Sequence, residues 1–309
     1  MSFEAELKGR FGARVGRNVP LSTLTTFRVG GPADWFLEIG ATADVVDAIG
    51  LARAHDVPVT LLGGGSNVLV RDGGIRGLVI RVRGGEIALD DPGAVRADAG
   101  VTINGLVRWT LAHGVAGLER WAGTPGTVGG AIYGNAHFRG AAIGDLVRSV
   151  CLLSPDGLVV HVPAAAMEFA YDRSRLQRTA EVLLSATFRA GVGNPVELRE
   201  TARASLAFRK RTQPLHLPSA GCIFQNPDPT RDRVPPDVPC SAGALIDRAG
   251  LKGTCVGGAM VSEVHANFLV NAGGASAADI LDLVALVERT VHERFGVTLR
   301  REIAVMGEH

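Results

Sequence analysis

Residues 61–70 read LLGGGSNVLV, and the reading of this stretch organises the rest of the chain. Val57, Val59, Leu61 and Leu62 lead into it as a short apolar run, the pattern of a buried strand. Gly63, Gly64 and Gly65 then remove three side chains in succession, so backbone N–H groups can come close to a ligand and φ can turn positive at no steric cost. Ser66 and Asn67 supply short polar side chains suited to a turn, and Val68, Leu69 and Val70 resume the apolar run. A strand, a polar glycine turn and a second strand-like run suit a phosphate or pyrophosphate cradle; an ordinary glycine hairpin loop fits the same letters. The stretch is not a Rossmann fingerprint, because the third glycine and a following helical pattern are missing. It is not a P-loop, because no Gly-Lys-Ser/Thr follows.

The 309 residues suffice for two or three domains with a sizeable core. A hydrophobic content of 46% with 20% charged residues is that of a soluble globular protein, and a net charge of +1 argues against a general nucleic-acid or membrane surface. Cys151, Cys222, Cys240 and Cys255 form no CxxC pair and no zinc spacing. With no signal peptide and no apolar run of membrane-spanning length, they read as reduced thiols of a cytoplasmic protein. The eight histidines are scattered, so no protein-bound metal is expected.

Away from the glycine turn, residues 1–19 read as a short helix and an arm, 35–39 as a strand, 43–55 as a helix and 78–82 as a strand. A strand at 95–99 and a helix at 103–113 precede a second glycine-rich stretch, 121–135, with five glycines in fifteen residues and no periodicity. A segment that buries no face of its own usually wraps something, and Trp121, Val128, Ile132 and Tyr133 are too apolar for a plain surface loop. A hairpin turning at Ser154-Pro155-Asp156-Gly157 joins strands at 146–153 and 158–162. Beyond a polar connector at 169–177 come a strand at 182–188, a basic helix at 198–211, a short apolar strand within 219–227 and a proline-rich loop at 229–239. A short helix at 242–249, sheet segments at 257–259 and 266–270, a long helix at 276–295 and a last strand at 299–305 complete the chain. The long helix has Ser276 as its N-cap and a core stripe of Ile280, Val284, Val287, Val291 and Phe295.

Seven separated stretches carry a resemblance: TTFRVGGPA, LLGGGSNVLV, GTPGTVGGAIYGNA, SAGCIFQNP, AGALIDRAGLKG, GGAMVSEVHANFLVN and LRREI. In this order they resemble the UDP-N-acetylenolpyruvoylglucosamine reductase (MurB) family over about residues 21–307, in its shorter branch, since no tyrosine-bearing insertion is evident. The resemblance implies an α+β fold built of α/β-type units. A two-part FAD-binding domain of the vanillyl-alcohol-oxidase type, 1–85 and 86–205, would precede a C-terminal α/β domain, 206–309, for the UDP-sugar. It further implies a cytoplasmic monomer using non-covalent FAD, with NADPH as co-substrate and no nucleic-acid or membrane partner. NADPH would reduce the flavin; flavin N5 would then deliver a hydride to the vinyl carbon of UDP-N-acetylglucosamine enolpyruvate, giving UDP-N-acetylmuramate for peptidoglycan.

On the same resemblance, FAD would be held by Gly63, Gly64, Gly65, Ser66, Asn67 and Val68, by Gly123, Thr124, Gly126, Thr127, Gly129, Gly130 and Ala131, and by Arg209, with Arg211 as the substitute. Cys222 stands where the family has a serine proton donor; a thiol, with a pKa of about 8.5, carries its proton at neutral pH. Taken alone, Cys222 is a small buried hydrophobe. Glu302 matches the glutamate that polarises the substrate carboxylate; taken alone it is a solvated strand residue. The family's Tyr-Arg-any-Ser becomes Tyr171-Asp172-Arg173-Ser174 here, so Arg173 is the nearest cation and Asp172 a group that could orient it. A one-residue slip would instead turn Arg173 to the opposite face. Tyr171, Gln225 and Asn226 would contact the substrate; His137 would touch the flavin edge or, as the favoured reading, fill a surface position. Two other functions fit: an FAD oxidoreductase of the same fold acting on a hydroxy acid or alcohol, and a non-catalytic flavin-binding module.

Overall fold

The computed structural model describes residues 1–91 and 93–308. The chain forms two compact units: Met1–Arg17, Asp34–Gly64 and Gly77–Phe208 make the first, and Asn18–Ala33, Gly65–Arg76 and Arg209–His309 the second.

The first unit contains two hydrophobic cores. One packs the helices Phe3–Phe11 and Thr42–Ala54 on a four-stranded sheet ordered Val15–Pro20, Pro32–Ile39, Ile75–Val82, Val59–Leu62. Its buried members include Leu37, Ile49, Leu78 and Ile80, the periodic apolar positions of those elements. The other core lies on a five-stranded antiparallel sheet ordered Val159–Pro163, Val147–Leu153, Val182–Arg189, Ala94–Asp98, Ile87–Leu89. Trp121, Ile103, Leu106 and Phe188 are buried there, and the helices Ile103–Ala112 and Val128–Tyr133 cover it.

The second unit has one core, with Phe27, Leu69, Ile223, Phe224, Val284 and Val291 among its buried members. Its strands are a three-stranded sheet, Cys255–Val256, Ala259–Val261 and Leu269–Asn271, and a parallel pair, Val68–Val70 with Ala304–Met306. The helix Ala277–Phe295 starts at the expected cap: Ser276 Oγ accepts from Asp279 N, and Asp279 answers at Ser276 N. Asp72 adds a carboxylate on the N–H groups of Ala277 and Ala278, at 2.9 and 3.0 Å.

Three expectations change. The strands flanking the first glycine turn do not pair as a hairpin. Val59–Leu62 runs parallel to Ile75–Val82, whereas Val68–Val70 pairs with Ala304–Met306, so Gly64 and Gly65 are where the chain passes from one unit into the other. Residues 121–135 are not structureless, because Thr127 caps a six-residue helix, Val128–Tyr133. Trp121, Val128 and Ile132 are apolar because they belong to the core, not because they wrap a ligand. Residues 219–227 and most of 299–305 make isolated bridges, Cys222 to Phe268 and Phe224 to Arg301, in place of full strands. Among the described residues no helix is long and apolar enough to cross a membrane.

Candidate active site

The first glycine turn is glycine for two reasons. A Cβ on Gly63 would lie 2.5 Å from Thr127 Oγ1, and one on Gly64 would lie 2.6 Å from Gly126 Cα, so the two glycine stretches meet without side chains. Gly65 has φ +63°, and a Cβ there would lie 2.3 Å from Leu24 O. The protein's own packing therefore demands these glycines. The turn also leaves donors over: among the described residues no protein acceptor takes the N–H of Gly64, Gly65 or Ser66, although Gly65 is buried. Unclaimed buried N–H groups are rare, and successive ones form an anion cradle. Asn67 is tied back, its Nδ2 donating to Glu302 O and its carbonyl accepting from Ala304 N.

The second stretch satisfies most of its donors internally. Gly123 N donates to Asn104 Oδ1, Thr124 N to Trp121 O, Val128 N to Val101 O, Gly129 N to Ala99 O and Gly130 N to Thr127 Oγ1. Thr127 is buried and Gly130 is exposed.

Past the short helix the chain reaches His137, which is not a surface filler. Its Nδ1 lies 2.9 Å from Asp172 Oδ1, and its ring lies 4.8 Å from that of Tyr171. The turn that carries Asp172 is closed by two backbone bonds between Ala170 and Arg173, at 3.0 and 3.1 Å. Asn135 Nδ2 donates to Ala170 O, and Ser174 Oγ and Gln177 Nε2 donate to Tyr133 O, which fastens this turn to the helix end. Asp172 occupies the left-handed region at φ +52° and its carboxylate is 7% exposed, whereas Arg173 is exposed. The inward member of the motif is thus the aspartate, and its partner is His137 rather than Arg173. The sequence signal for this was Asp172 itself, one of the few side chains that tolerates a left-handed turn.

In the second unit, Gly221 turns at φ +82° into Cys222-Ile223-Phe224-Gln225. Asn267, 3% exposed, holds both sides of this segment: its Oδ1 accepts from Phe224 N, its Nδ2 donates to Phe224 O, and its carbonyl accepts from Ile223 N. The segment runs beside 300–302, since Glu302 N donates to Ile223 O and Gln225 N to Arg300 O, each at 2.8 Å. Cys222 and Glu302, 80 positions apart in sequence, thereby sit on adjacent backbone. Cys222 is half-buried, which suits a reactive thiol better than a core one. Asn267 is a supporting residue that sequence reading missed. Gln225 and Asn226 line a shallow surface depression with Asp232 and Arg300, and Asn226 Oδ1 also accepts from Ala242 N. Of the two arginine candidates on the helix Pro195–Thr212, Arg209 is 7% exposed and Arg211 is exposed. Burial pulls the Arg209 guanidinium down to about 10, which leaves it charged at neutral pH.

Comparison with known proteins gives this arrangement a family. A family model described as UDP-N-acetylenolpyruvoylglucosamine reductase, C-terminal domain, matches residues 213–306. The UDP-N-acetylenolpyruvoylglucosamine reductase of Bacillus subtilis is 38% identical over 307 residues, 98% of this chain and 97% of the relative. The chain belongs to the UDP-N-acetylenolpyruvoylglucosamine reductase family. The reductase of that name from a Synechococcus strain is 38% identical over 96% of this chain and 93% of its own length. The crystal structure of UDP-N-acetylenolpyruvylglucosamine reductase (MurB) from Thermus caldophilus matches with a TM-score of 0.78 at 34% identity, covering 95% of this chain and 99% of that one. An FAD binding domain model matches residues 33–163, so the fold is an FAD-binding domain followed by the reductase C-terminal domain.

The residues present fit FAD. The unclaimed N–H groups of Gly64, Gly65 and Ser66 are donors for a pyrophosphate, and Arg209 is a buried cation for an electron-rich edge.

Proposed function

We propose that this reductase-family chain reduces the enolpyruvyl group of UDP-N-acetylglucosamine enolpyruvate to UDP-N-acetylmuramate, with NADPH as co-substrate, as a cytoplasmic monomer in peptidoglycan precursor synthesis. Bound FAD supplies the hydride chemistry, drawn from NADPH. The chain's own residues then have separate tasks. The N–H groups of 64–66, the Ser66 and Asn67 side chains and the glycines of 123–130 bind the cofactor, with Arg209 against its polar edge. Gln225 and Asn226 hold the diphosphate, Tyr171 and Arg173 meet the sugar acid, and Glu302 polarises its carboxylate, where negative charge builds. Cys222 gives a proton to the carbon next to the one that receives hydride. In this reading the chain comprises two FAD-binding subdomains, 1–85 and 86–205, and a substrate domain, 206–309.

The observation that carries this reading is the adjacency of 222–225 and 300–302, made by the bonds Glu302 N to Ile223 O and Gln225 N to Arg300 O, so that a candidate acid and a candidate carboxylate stand on neighbouring backbone. Rapid-mixing absorbance of the flavin tests it in two half-reactions. Cys222→Ala is expected to leave reduction by NADPH nearly intact and to slow reoxidation by the enolpyruvyl sugar by about 10²–10⁴-fold. Cys222→Ser should recover much of the rate, since a hydroxyl can take over the donor position. Reoxidation of Cys222→Ala within a few-fold of wild type would remove Cys222 from the chemistry.

A further inference from the structure

The stretch TTFRVGGPA, residues 25–33, has no part in the roles above, yet its loop lies directly on the first glycine turn. Thr26 grips one atom of that turn twice. Its N–H donates to Gly65 O at 2.9 Å, and its hydroxyl donates to the same oxygen at 3.2 Å. Gly65 O and Ser66 N–H belong to one planar trans peptide unit and point in opposite directions. Fixing the carbonyl toward Thr26 therefore fixes the Ser66 N–H away from it, and among the described residues no protein group accepts that N–H. The gripping loop is itself held. Phe27 and Val29 are buried in the core of the second unit. Thr25, 6% exposed, donates its hydroxyl to Val29 O at 2.9 Å, and Asn271 Nδ2 donates to Phe27 O at 3.2 Å. Arg28 turns at φ +57°, and its N–H closes the loop on Thr25 O. The residue being gripped explains why a lock is needed. Gly65 is glycine because Leu24 O leaves no room for a Cβ, and the freedom that comes with glycine gives the next peptide unit more than one orientation. A reversed unit would present a carbonyl oxygen where the N–H now stands, and an anion there would meet negative in place of positive partial charge.

We propose that Thr26 is a positioning residue for the cofactor: its hydroxyl holds the 65–66 peptide so that the Ser66 N–H faces the FAD diphosphate. The inference rests on the reading of residues 64–66 as the diphosphate cradle. Two donors on one carbonyl oxygen occupy both of its lone pairs, which fixes the plane of the peptide as well as its direction. The backbone donor stays in any side-chain variant of Thr26, so the part played by the hydroxyl can be removed on its own.

The test separates orientation of the donor from general support of the loop. Thr26→Val keeps the shape of the side chain and removes the hydroxyl; Thr26→Ser keeps the hydroxyl and removes the methyl group. The FAD dissociation constant is read from the fluorescence of flavin released when the holoprotein is diluted. Phosphorus NMR of the holoprotein reads the surroundings of the bound diphosphate, and the melting temperature of the flavin-free chain checks the fold. Thr26→Val is expected to raise the dissociation constant by about 3- to 10-fold, the loss of one neutral hydrogen bond. It should also move the diphosphate resonances toward those of free FAD. Thr26→Ser should stay close to wild type in both. Flavin-free melting should change little, because Gly65 O keeps its bond from Thr26 N. A Thr26→Val protein with wild-type affinity and wild-type resonances would overturn the proposal, and a lowered melting temperature beside them would make the hydroxyl a brace of the loop alone. Equal losses in Thr26→Val and Thr26→Ser would trace the effect to packing of the methyl group and overturn it as well. If FAD bound to wild type shows the resonances of free FAD, the cradle reading falls and the proposal with it; that result appears in wild type and is thereby told apart from failure of the lock.

Discussion

The two glycine-rich stretches look alike in sequence and do different things. Residues 63–65 pack so closely that no side chain fits, yet among the described residues no acceptor takes the N–H groups of Gly64, Gly65 and Ser66. Residues 123–130 have four glycines against three, and there the fold itself takes the N–H groups of Gly123, Thr124, Val128, Gly129 and Gly130. Glycine content therefore reports close packing in both places, and among the described residues each stretch keeps successive N–H groups without a protein acceptor, Gly64 to Ser66 in the first and Gly126 and Thr127 in the second. The first stretch is also the point at which the chain leaves one unit for the other, and the second is internal to the first unit.

The comparison breaks hardest at Gly65. An alanine there must hold φ +63° and must push Leu24 O away from 2.3 Å. Because the blocking atom is backbone, relief requires moving a loop, and the expected cost is on the order of 3 kcal/mol. A melting temperature roughly 5–10 °C lower, together with loss of bound FAD, is the expected outcome. A Gly65→Ala protein that melts with wild type and keeps its flavin would show that the turn is loose and that its glycines are incidental.

Thr127 tests the second stretch at a smaller scale. Its hydroxyl caps the helix Val128–Tyr133 at Gly130 N and fills the space that Gly63 leaves open. Thr127→Ala should cost about 1 kcal/mol from the lost cap, and Thr127→Ser should restore most of it. Calorimetric melting of the three proteins reads this directly. A loss in Thr127→Ser as large as that in Thr127→Ala would mean that the methyl group, and not the cap, matters.

What was legible in the sequence follows the range of the interactions. The helix Ala277–Phe295 announced itself because its stripe and its Ser276 cap are local, and the hairpin at Ser154-Pro155-Asp156-Gly157 needs only neighbours four residues apart. The partner of Val68–Val70 could not be read, because Ala304–Met306 lies more than 200 residues away and parallel pairing has no turn to signal it. The helix Val128–Tyr133 was hidden because Gly129 and Gly130 erase its periodicity, and only Thr127 marks its start. The candidate residues themselves were named from the stretches that match the family. Their settings were not legible: the inward turn of Asp172 and the clamp of Asn267 depend on contacts between segments 35 and 43 residues apart.

The smallest expected effect is the sharpest on the comparison. Gly130 is exposed, has no positive φ, and the nearest atom to a Cβ placed there is Thr127 Oγ1 at 3.8 Å, an ordinary contact. The fold thus leaves room for alanine, and a glycine replaced inside a helix without strain should gain about 0.4–1 kcal/mol through the unfolded chain. If this stretch served only packing, Gly130→Ala would be a silent, slightly more stable protein in every respect. The proposed cofactor role of Gly130 requires a different pattern: melting of the flavin-free protein unchanged or raised, and FAD affinity reduced, because the added methyl group occupies space the protein does not need and the cofactor does. Titrating flavin-free Gly130→Ala with FAD alongside its thermal melt measures both quantities on one sample. Wild-type affinity with a raised melting point would assign Gly130 to packing and remove it from the cofactor site.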